Sequence, residues 1–223
     1  MFKFKGISSN DMKVIIEEEE HFLAKAAQRT EMTEIEGKDS AIYDELGYSD
    51  IERPIKVQIL DTSKLDDILA WLNGEGELEY KDRKTIARFY NELEPERNAC
   101  IKIIDTRFIR SPFWYKKVDN YIAVSNMITN EGNIASRPMI RLEKGTLDDV
   151  ELTIGGVRFK YHFNGESYVE IDCEEMSVLY NGLRRNRRIE IGYKFPRLEI
   201  GSNTITVHSG DCVVKIKRKD RWL

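Results

Sequence analysis

Long apolar runs are missing from this chain. No segment approaches the ~20 uninterrupted apolar residues that a membrane-crossing helix requires, so a spanning helix is excluded. The start, Met1-Phe2-Lys3-Phe4-Lys5, runs into polar residues and then Glu17 to Glu20, and so lacks the apolar block of a signal peptide. Cysteine is scarce. Cys100, Cys173 and Cys212 are odd in number, far apart and set in strand-like sequence, which predicts reduced, buried, inert thiols in a chain made in a cytoplasm. Histidine is equally sparse: His21, His162 and His208 each stand without a second ligand at metal-binding spacing. A phosphate-cradling glycine loop, a C-x-x-C pair and a nucleophile elbow are all absent. These gaps leave no catalytic residue, metal ligand or cofactor site to nominate, and they favour a binding or assembly protein over an enzyme. An excess of positive charge is lacking too. The formal net charge of −4 argues against a nucleic-acid binder.

What is present is a chain of 223 residues with 41% hydrophobic and 33% charged side chains, enough for one large domain or two small ones. The best-defined local signal runs from Thr62 to Tyr80. Ser63 is suited to an N-cap, Asp66 completes a capping-box-like pair, and Asp66 and Asp67 complement the helix dipole. Leu65, Ile68, Leu69 and Leu72 form one apolar face with Trp71 beside it, and Asn73-Gly74 supplies a left-handed stop. Glu77 to Tyr80 then alternates as a strand. The surrounding sequence also reads as strand, so a single helix packed on a sheet is expected.

Within the first part, Phe2 and Phe4, Val14 to Ile16, Ile55 to Ile59, Ile86 to Tyr90 and Ile101 to Ile104 read as strands, with Pro54 suited to a strand start or edge. Met32 to Glu36 alternates up to a turn at Gly37 to Ser40. Glu17 to Arg29 has helical propensity without an apolar stripe, and its four leading glutamates read as a solvated face. The texture changes at Arg110-Ser111-Pro112-Phe113-Trp114-Tyr115, which places a boundary between Tyr115 and Asn130 and domains at 1–118 and 119–223.

The second part is β throughout. Short strands at 139–142, 151–154, 157–163, 168–173, 204–207 and 213–217 are separated by turns at Gly155-Gly156, Asn164-Gly165, Asn181-Gly182 and Gly201-Ser202-Asn203. Both Asn-Gly pairs suit a type I′ hairpin, and the spacing predicts an antiparallel β-sandwich. His162, between Tyr161 and Phe163, is expected to pack in the sheet. Charge is uneven: residues 131–175 hold five basic and ten acidic side chains, whereas 184–223 hold eleven basic and four acidic. Arg184, Arg185, Arg187 and Arg188 are the densest basic cluster. Without interleaved aromatics they read as a solvated loop, or as a patch pairing with an acidic face of a neighbouring subunit, before they read as a phosphate contact. Tyr161, Phe163, Tyr168, Tyr180, Tyr193 and Trp222 offer an alternative reading as sugar-stacking platforms of a carbohydrate-binding module on a cell wall, although their alternation favours core packing.

An ordered set of segments resembles the distal tail (Dit) proteins of long-tailed, non-contractile bacteriophages and prophages. The set includes Phe4-Lys5-Gly6-Ile7-Ser8-Ser9, Glu34-Ile35-Glu36-Gly37-Lys38-Asp39, Arg53-Pro54-Ile55-Lys56-Val57 and Leu69-Ala70-Trp71-Leu72-Asn73-Gly74. It continues with Ile109 to Tyr115, Asn130 to Asn133 with Pro138, and Phe195-Pro196-Arg197-Leu198 leading to Gly201-Ser202-Asn203. Ser40 departs from the pattern, where a second glycine is usual. The resemblance implies a mainly β protein: a ring-forming β-rich domain with one helix over 1–118, and a galectin-like β-sandwich over 119–223. It implies a structural virion protein at the tail tip, synthesised in the host bacterial cytoplasm. Its expected partners are its own copies in a homohexamer, the tail tube protein, and the tail-tip and receptor-binding proteins. No membrane and no specific nucleic acid is implied, and no cofactor. Residues 1–118 carry nineteen basic and twenty-four acidic side chains, so an acidic ring lumen would let a genome pass without sticking.

Overall fold

The structure is a computed structural model and describes residues 1–98 and 101–223. Cys100 lies outside the described residues. Strands dominate, joined by a single α-helix among the described residues, and the chain divides into two compact units, Met1–Lys117 with Leu223, and Val118–Trp222.

In the first unit the strands are β1 (Phe2–Phe4), β2 (Ile7–Ser8), β3 (Val14–Glu17), β4 (Gln28–Thr33), β5 (Ile42–Tyr48), β6 (Ile51–Ile59), β7 (Gly74–Tyr80), β8 (Arg83–Phe89), β9 (Pro95–Asn98), β10 (Ile101–Arg110) and β11 (Trp114–Lys116). The main sheet runs β2-β1-β7-β8-β10-β6-β3, with β9 on β10 and β11 on β8. Period-two alternation puts Phe2, Phe4, Leu78, Phe89, Phe108, Ile55, Val57 and Ile59 on one buried face. Pro54 sits mid-strand in β6, but beyond the end of β3, which pairs only with Lys56 to Ile59. Its carbonyl there accepts a hydrogen bond from His21 Nδ1 at 2.7 Å.

Helix α1 (Leu65–Trp71) covers that face as expected, although its caps and contact face differ in detail. The capping side chain is Asp61, which accepts from Ser63 N at 3.0 Å and starts a 3₁₀ turn, Thr62–Lys64, ahead of the helix. The buried residues are Ile68, Trp71 and Leu72, while Leu65 and Leu69 are half-buried. Trp71 stacks on Phe2 with ring centres 5.5 Å apart and donates from Nε1 to Phe4 O at 2.8 Å, so a seven-residue helix is pinned to β1 at both ends of one side chain. Ile68→Ala should therefore cost about 2–5 kcal/mol through transfer and cavity terms. Leu69→Ala, already half in water, should cost less than about 1.5 kcal/mol. Urea melts of the two variants compare them directly, and a larger loss for Leu69→Ala than for Ile68→Ala would mean that the helix is seated the other way round.

No second helix forms from Glu17 to Arg29. A 3₁₀ turn, Glu19–Leu23, inserts Phe22 into the aromatic core against Phe2, Tyr80 and Phe108, and Gln28 already belongs to β4. A continued helix would need the Phe22 and Ala24 carbonyls for its own ladder, and both are taken by side chains of the sheet.

The second unit is a sandwich of antiparallel pairs. Its strands are β12 (Ile122–Val124), β13 (Met127–Asn130), β14 (Met139–Lys144), β15 (Asp149–Ile154), β16 (Val157–His162), β17 (Tyr168–Asp172), β18 (Ser177–Tyr180), β19 (Leu183–Arg184), β20 (Ile189–Ile191), β21 (Gly201–Ser209) and β22 (Cys212–Lys217). One sheet runs β12-β22-β14-β17-β18-β19 and the other β13-β21-β15-β16-β20. Their inner faces close one core in which Leu142, Ile171 and Ile216 meet Leu152, Phe159 and Tyr161. The fold is thus mainly β with one helix. Cys173 is buried and free, and Cys212 is free and half-buried, where burial lifts its thiol to about 11.

Two turn assignments change. Asn181-Gly182 does make the two-residue hairpin, both residues having positive φ, between Tyr180 and Leu183. Asn164-Gly165 instead links β16 to β17, which lie in opposite sheets, so it is a crossover rather than a hairpin. Gly201-Ser202-Asn203 opens β21 instead of forming a separate turn, and Asn203 Nδ2 ties that opening to Glu199 O at 2.8 Å.

Candidate functional site

The most distinctive surface is the hairpin β4–β5, which forms a two-stranded sheet of its own. In a folded chain of this size a seven-residue strand ordinarily buries one face. Here every residue of β4 is exposed, as is all of β5 except Tyr48. Among the exposed side chains are Met32, Ile35, Ile42, Tyr43 and Leu46. Two mechanisms keep this arm extended. Cross-strand pairing runs from Gln28↔Tyr48 to Thr33↔Ile42. A bulge between Arg29 and Thr30 is accommodated by Gly47 at φ 93, a conformation that an L side chain resists.

The root of the arm is held rigidly. Arg110, fully buried, donates from Nε to Phe22 O at 2.9 Å, from Nη2 to Ala24 O at 2.5 Å, and from Nη1 to Ser111 O and Pro112 O at 2.8 and 3.2 Å. Trp114 Nε1 adds a bond to Phe22 O at 3.2 Å, and the guanidinium lies 5.1 Å from the Trp114 ring. Burial holds the Arg110 guanidinium below the ordinary arginine range, at about 10, with the Arg53 charge acting in the same direction. It therefore remains a cation near neutral pH. On the return strand, Ser49 N donates to Ala27 O at 2.9 Å and Tyr48 packs edge-on against Phe113 at 5.4 Å. The residues from 110 to 114 that bear the family resemblance are thus the clamp from which the arm projects.

Electrostatically the arm differs from the sheet beside it. On the sheet, Lys84 pairs with Glu77, Arg88 with Glu75 and Asp50, Arg107 with Glu52, and Lys117 with Glu79, all within 3.1 Å. The arm carries Glu31, Glu34, Glu36, Asp39, Asp44 and Glu45 against Arg29 and Lys38, and among the described residues none of these carboxylates is in an ion pair. Glu31 and Asp44 are direct cross-strand partners. Like charges so placed destabilise a hairpin.

In the second unit the arginine cluster is partly an internal device. Glu166, a side chain only 3% exposed, is 3.1 Å from Arg185 Nε and 3.0 Å from Arg188 Nη1, and it accepts Asn164 N at 2.5 Å. Burial pushes the Glu166 carboxyl up. The backbone hydrogen bonds and the two arginines more than reverse this and leave it below its usual range. Asn186 fixes the same loop by accepting from Val178 N at 2.8 Å and donating to Met176 O at 3.2 Å. Arg184 and Arg187 are exposed and, among the described residues, in no ion pair. Their exposure is what both the solvated-loop and the neighbouring-subunit readings require, and the pairing partner of the others is internal.

The aromatic residues proposed as sugar platforms meet only in pairs and form no single exposed platform among the described residues. Tyr161 and Phe163 are core residues, Tyr168 lies under the Arg141 guanidinium at 3.9 Å and edge-on to Tyr180, Trp222 is half-buried, and Tyr193 alone of the six is fully exposed. His162 is not a packing residue. It is exposed, 2.7 Å from Asp149, on the outer face of its sheet, because the alternation that buries Tyr161 and Phe163 must turn it outward. His208 sits 2.7 Å from Thr153 Oγ1, and His21 serves Pro54. The arm and the Arg110 clamp escape sequence reading, yet one signal was available. Inward positions Ile104, Thr106 and Phe108 continue by period two onto Arg110, an arginine where a core residue is due.

Comparison with known proteins agrees with this architecture. The family model for the siphovirus-type tail component, C-terminal domain, matches residues 131–222. Among solved structures, the crystal structure of the Dit (gp 19.1) protein of phage SPP1, described as a paradigm of the hub adsorption apparatus in phages infecting Gram-positive bacteria, aligns with a TM-score of 0.74. That alignment has 12% identity and covers 100% of this chain and 98% of the other. The phage P2 baseplate in its activated conformation with Ca aligns with a TM-score of 0.40 and 10% identity over 95% of this chain and 92% of that one. No curated protein matches the sequence.

Proposed function

We propose, for a chain whose residues 131–222 match the model of the siphovirus-type tail component, that it is the structural hub of a long, non-contractile phage or prophage tail. Six copies close into a ring that joins the end of the tail tube to the tail-tip and receptor-binding proteins. The observation that carries this reading is the family match over residues 131–222 on a chain whose entire length shares the fold of a tail hub protein.

The arm gives the ring a physical rationale. In a cyclic assembly each copy presents two different surfaces, so an element exposed on one copy is covered by the next all the way round. An arm with Met32, Ile42, Tyr43 and Leu46 in water suits that role. The first unit forms the ring, and its acidic balance keeps a passing genome from adhering. The second unit is a module that folds by itself over residues 119–223. The hub acts by contact alone, with no catalytic step and no cofactor, at the tip of the virion after synthesis in the host cytoplasm.

Electron microscopy of assembled tails, or of the concentrated protein, tests the reading. Six-fold density at the distal end of the tube is the expected result. Rings of another order, or a position on the capsid, would overturn it.

A further inference from the structure

The arm and the arginine loop present exposed charges of opposite sign, each beside exposed apolar side chains. On the arm, Glu31 and Asp44 oppose each other across the strands, among the described residues neither is in an ion pair, and exposed Ile42, two residues from Asp44, shares their face of the ribbon. On the loop, Arg184 and Arg187 are solvent-facing, with exposed Leu183 and Met176 close by in sequence. The loop is also preorganised. Two of its four arginines are committed to buried Glu166 and its asparagine is bonded to the strand beside it, so the outward pair is presented on a fixed turn. A pair of carboxylates held close at a cost to its own hairpin gains most from a partner that brings guanidinium groups to it. An apolar margin on both sides favours a docked contact over a loose ion cloud.

We propose that the acidic face of the arm, centred on Glu31 and Asp44, docks on the Arg184–Arg187 turn of a second copy of this chain. The choice of a second copy rests on the ring reading; the surface itself rests on charge complementarity between two patches of one sequence. It assigns the outward arginines to assembly rather than to a phosphate or a nucleic acid.

Two measurements on the full chain test this. In the first, the variants Asp44→Cys and Arg187→Cys are mixed and treated with a short bismaleimide, with the parent chain as the control for native thiols. A cross-linked dimer containing one chain of each kind, formed in the mixture and suppressed by high salt, is expected. In the second, Arg184→Glu with Arg187→Glu should weaken self-association about tenfold. Adding Glu31→Arg and Asp44→Arg to that chain should restore it. Six-membered rings that give no mixed cross-link would overturn the docking and leave the ring reading standing. A mixed cross-link in an assembly of another order would support the docking and overturn the ring. No association at any concentration would overturn both. Reversed arginines that leave rings intact but block tail completion would assign the loop to a different tail protein, and the docking would again fail.

Discussion

Replacing Arg110 with leucine should destabilise the first unit by about 3–4 kcal/mol, large for a single substitution. The fully buried side chain bonds the carbonyls of Phe22, Ala24, Ser111 and Pro112, of which Phe22 O keeps its Trp114 partner and the other three are part-buried. An orphaned acceptor costs roughly 1–3 kcal/mol, here toward the lower end because water reaches part of the site, and leucine offers the three carbonyls nothing. Arg110→Lys, which keeps the charge but has one nitrogen in place of a planar fork, should recover part of the loss. Because Phe22 and Ala24 precede the arm, the damage should appear first at its root. Hydrogen exchange of residues 22–28 in Arg110→Lys should rise well before the sheet itself opens. A leucine variant as stable as the parent in denaturant would mean that those carbonyls have other partners, and the clamp would have to be abandoned.

Glu166→Gln should have the next largest effect, at about 2–3 kcal/mol. Breaking a buried ion pair commonly costs ~3–5 kcal/mol, and here the two arginines can turn partly to water. The same pair makes the second unit acid-sensitive. The carboxyl is held below its usual 4.5 in the folded state, so the folded protein binds fewer protons there than the unfolded chain does. The stabilisation is complete above about pH 4.5 and is lost as pH falls through the lowered value. A stability–pH curve of the glutamine variant should run below that of the parent near neutrality and converge with it in acid. A constant gap between the curves across that range would assign the stabilisation to some other group.

Strand identity was largely legible. Ile55, Val57 and Ile59, or Leu152 and Ile154, alternate because one face is buried, and that burial is what makes the pattern visible. The arm was half missed for the same reason. Met32 and its neighbours read as extended, but the return strand Ile42–Tyr48 buries almost nothing, so no periodicity marks it. The segment from Glu17 to Arg29 misled through propensity, since its alanines favour a helix while Arg110 claims the carbonyls a helix would use. Asn164-Gly165 has hairpin chemistry, yet the chain changes sheets there, a tertiary choice that no dipeptide encodes. Glu166 meets arginines 19 and 22 residues away, and an isolated glutamate gives no hint of such partners.

The arm also bears on what happens to free chains. As a two-stranded sheet it has open edges on both sides, each a row of backbone groups ready to pair with another arm, and its hydrophobic side chains would favour that stacking. Runaway polymerisation of this kind is the hazard of any naked strand. The carboxylates along both strands oppose it, since two arms brought edge to edge set like charges against each other. The charge that weakens the hairpin in isolation suits a solubility gatekeeper, and neutralising it wholesale should yield fibres or precipitate rather than soluble protein.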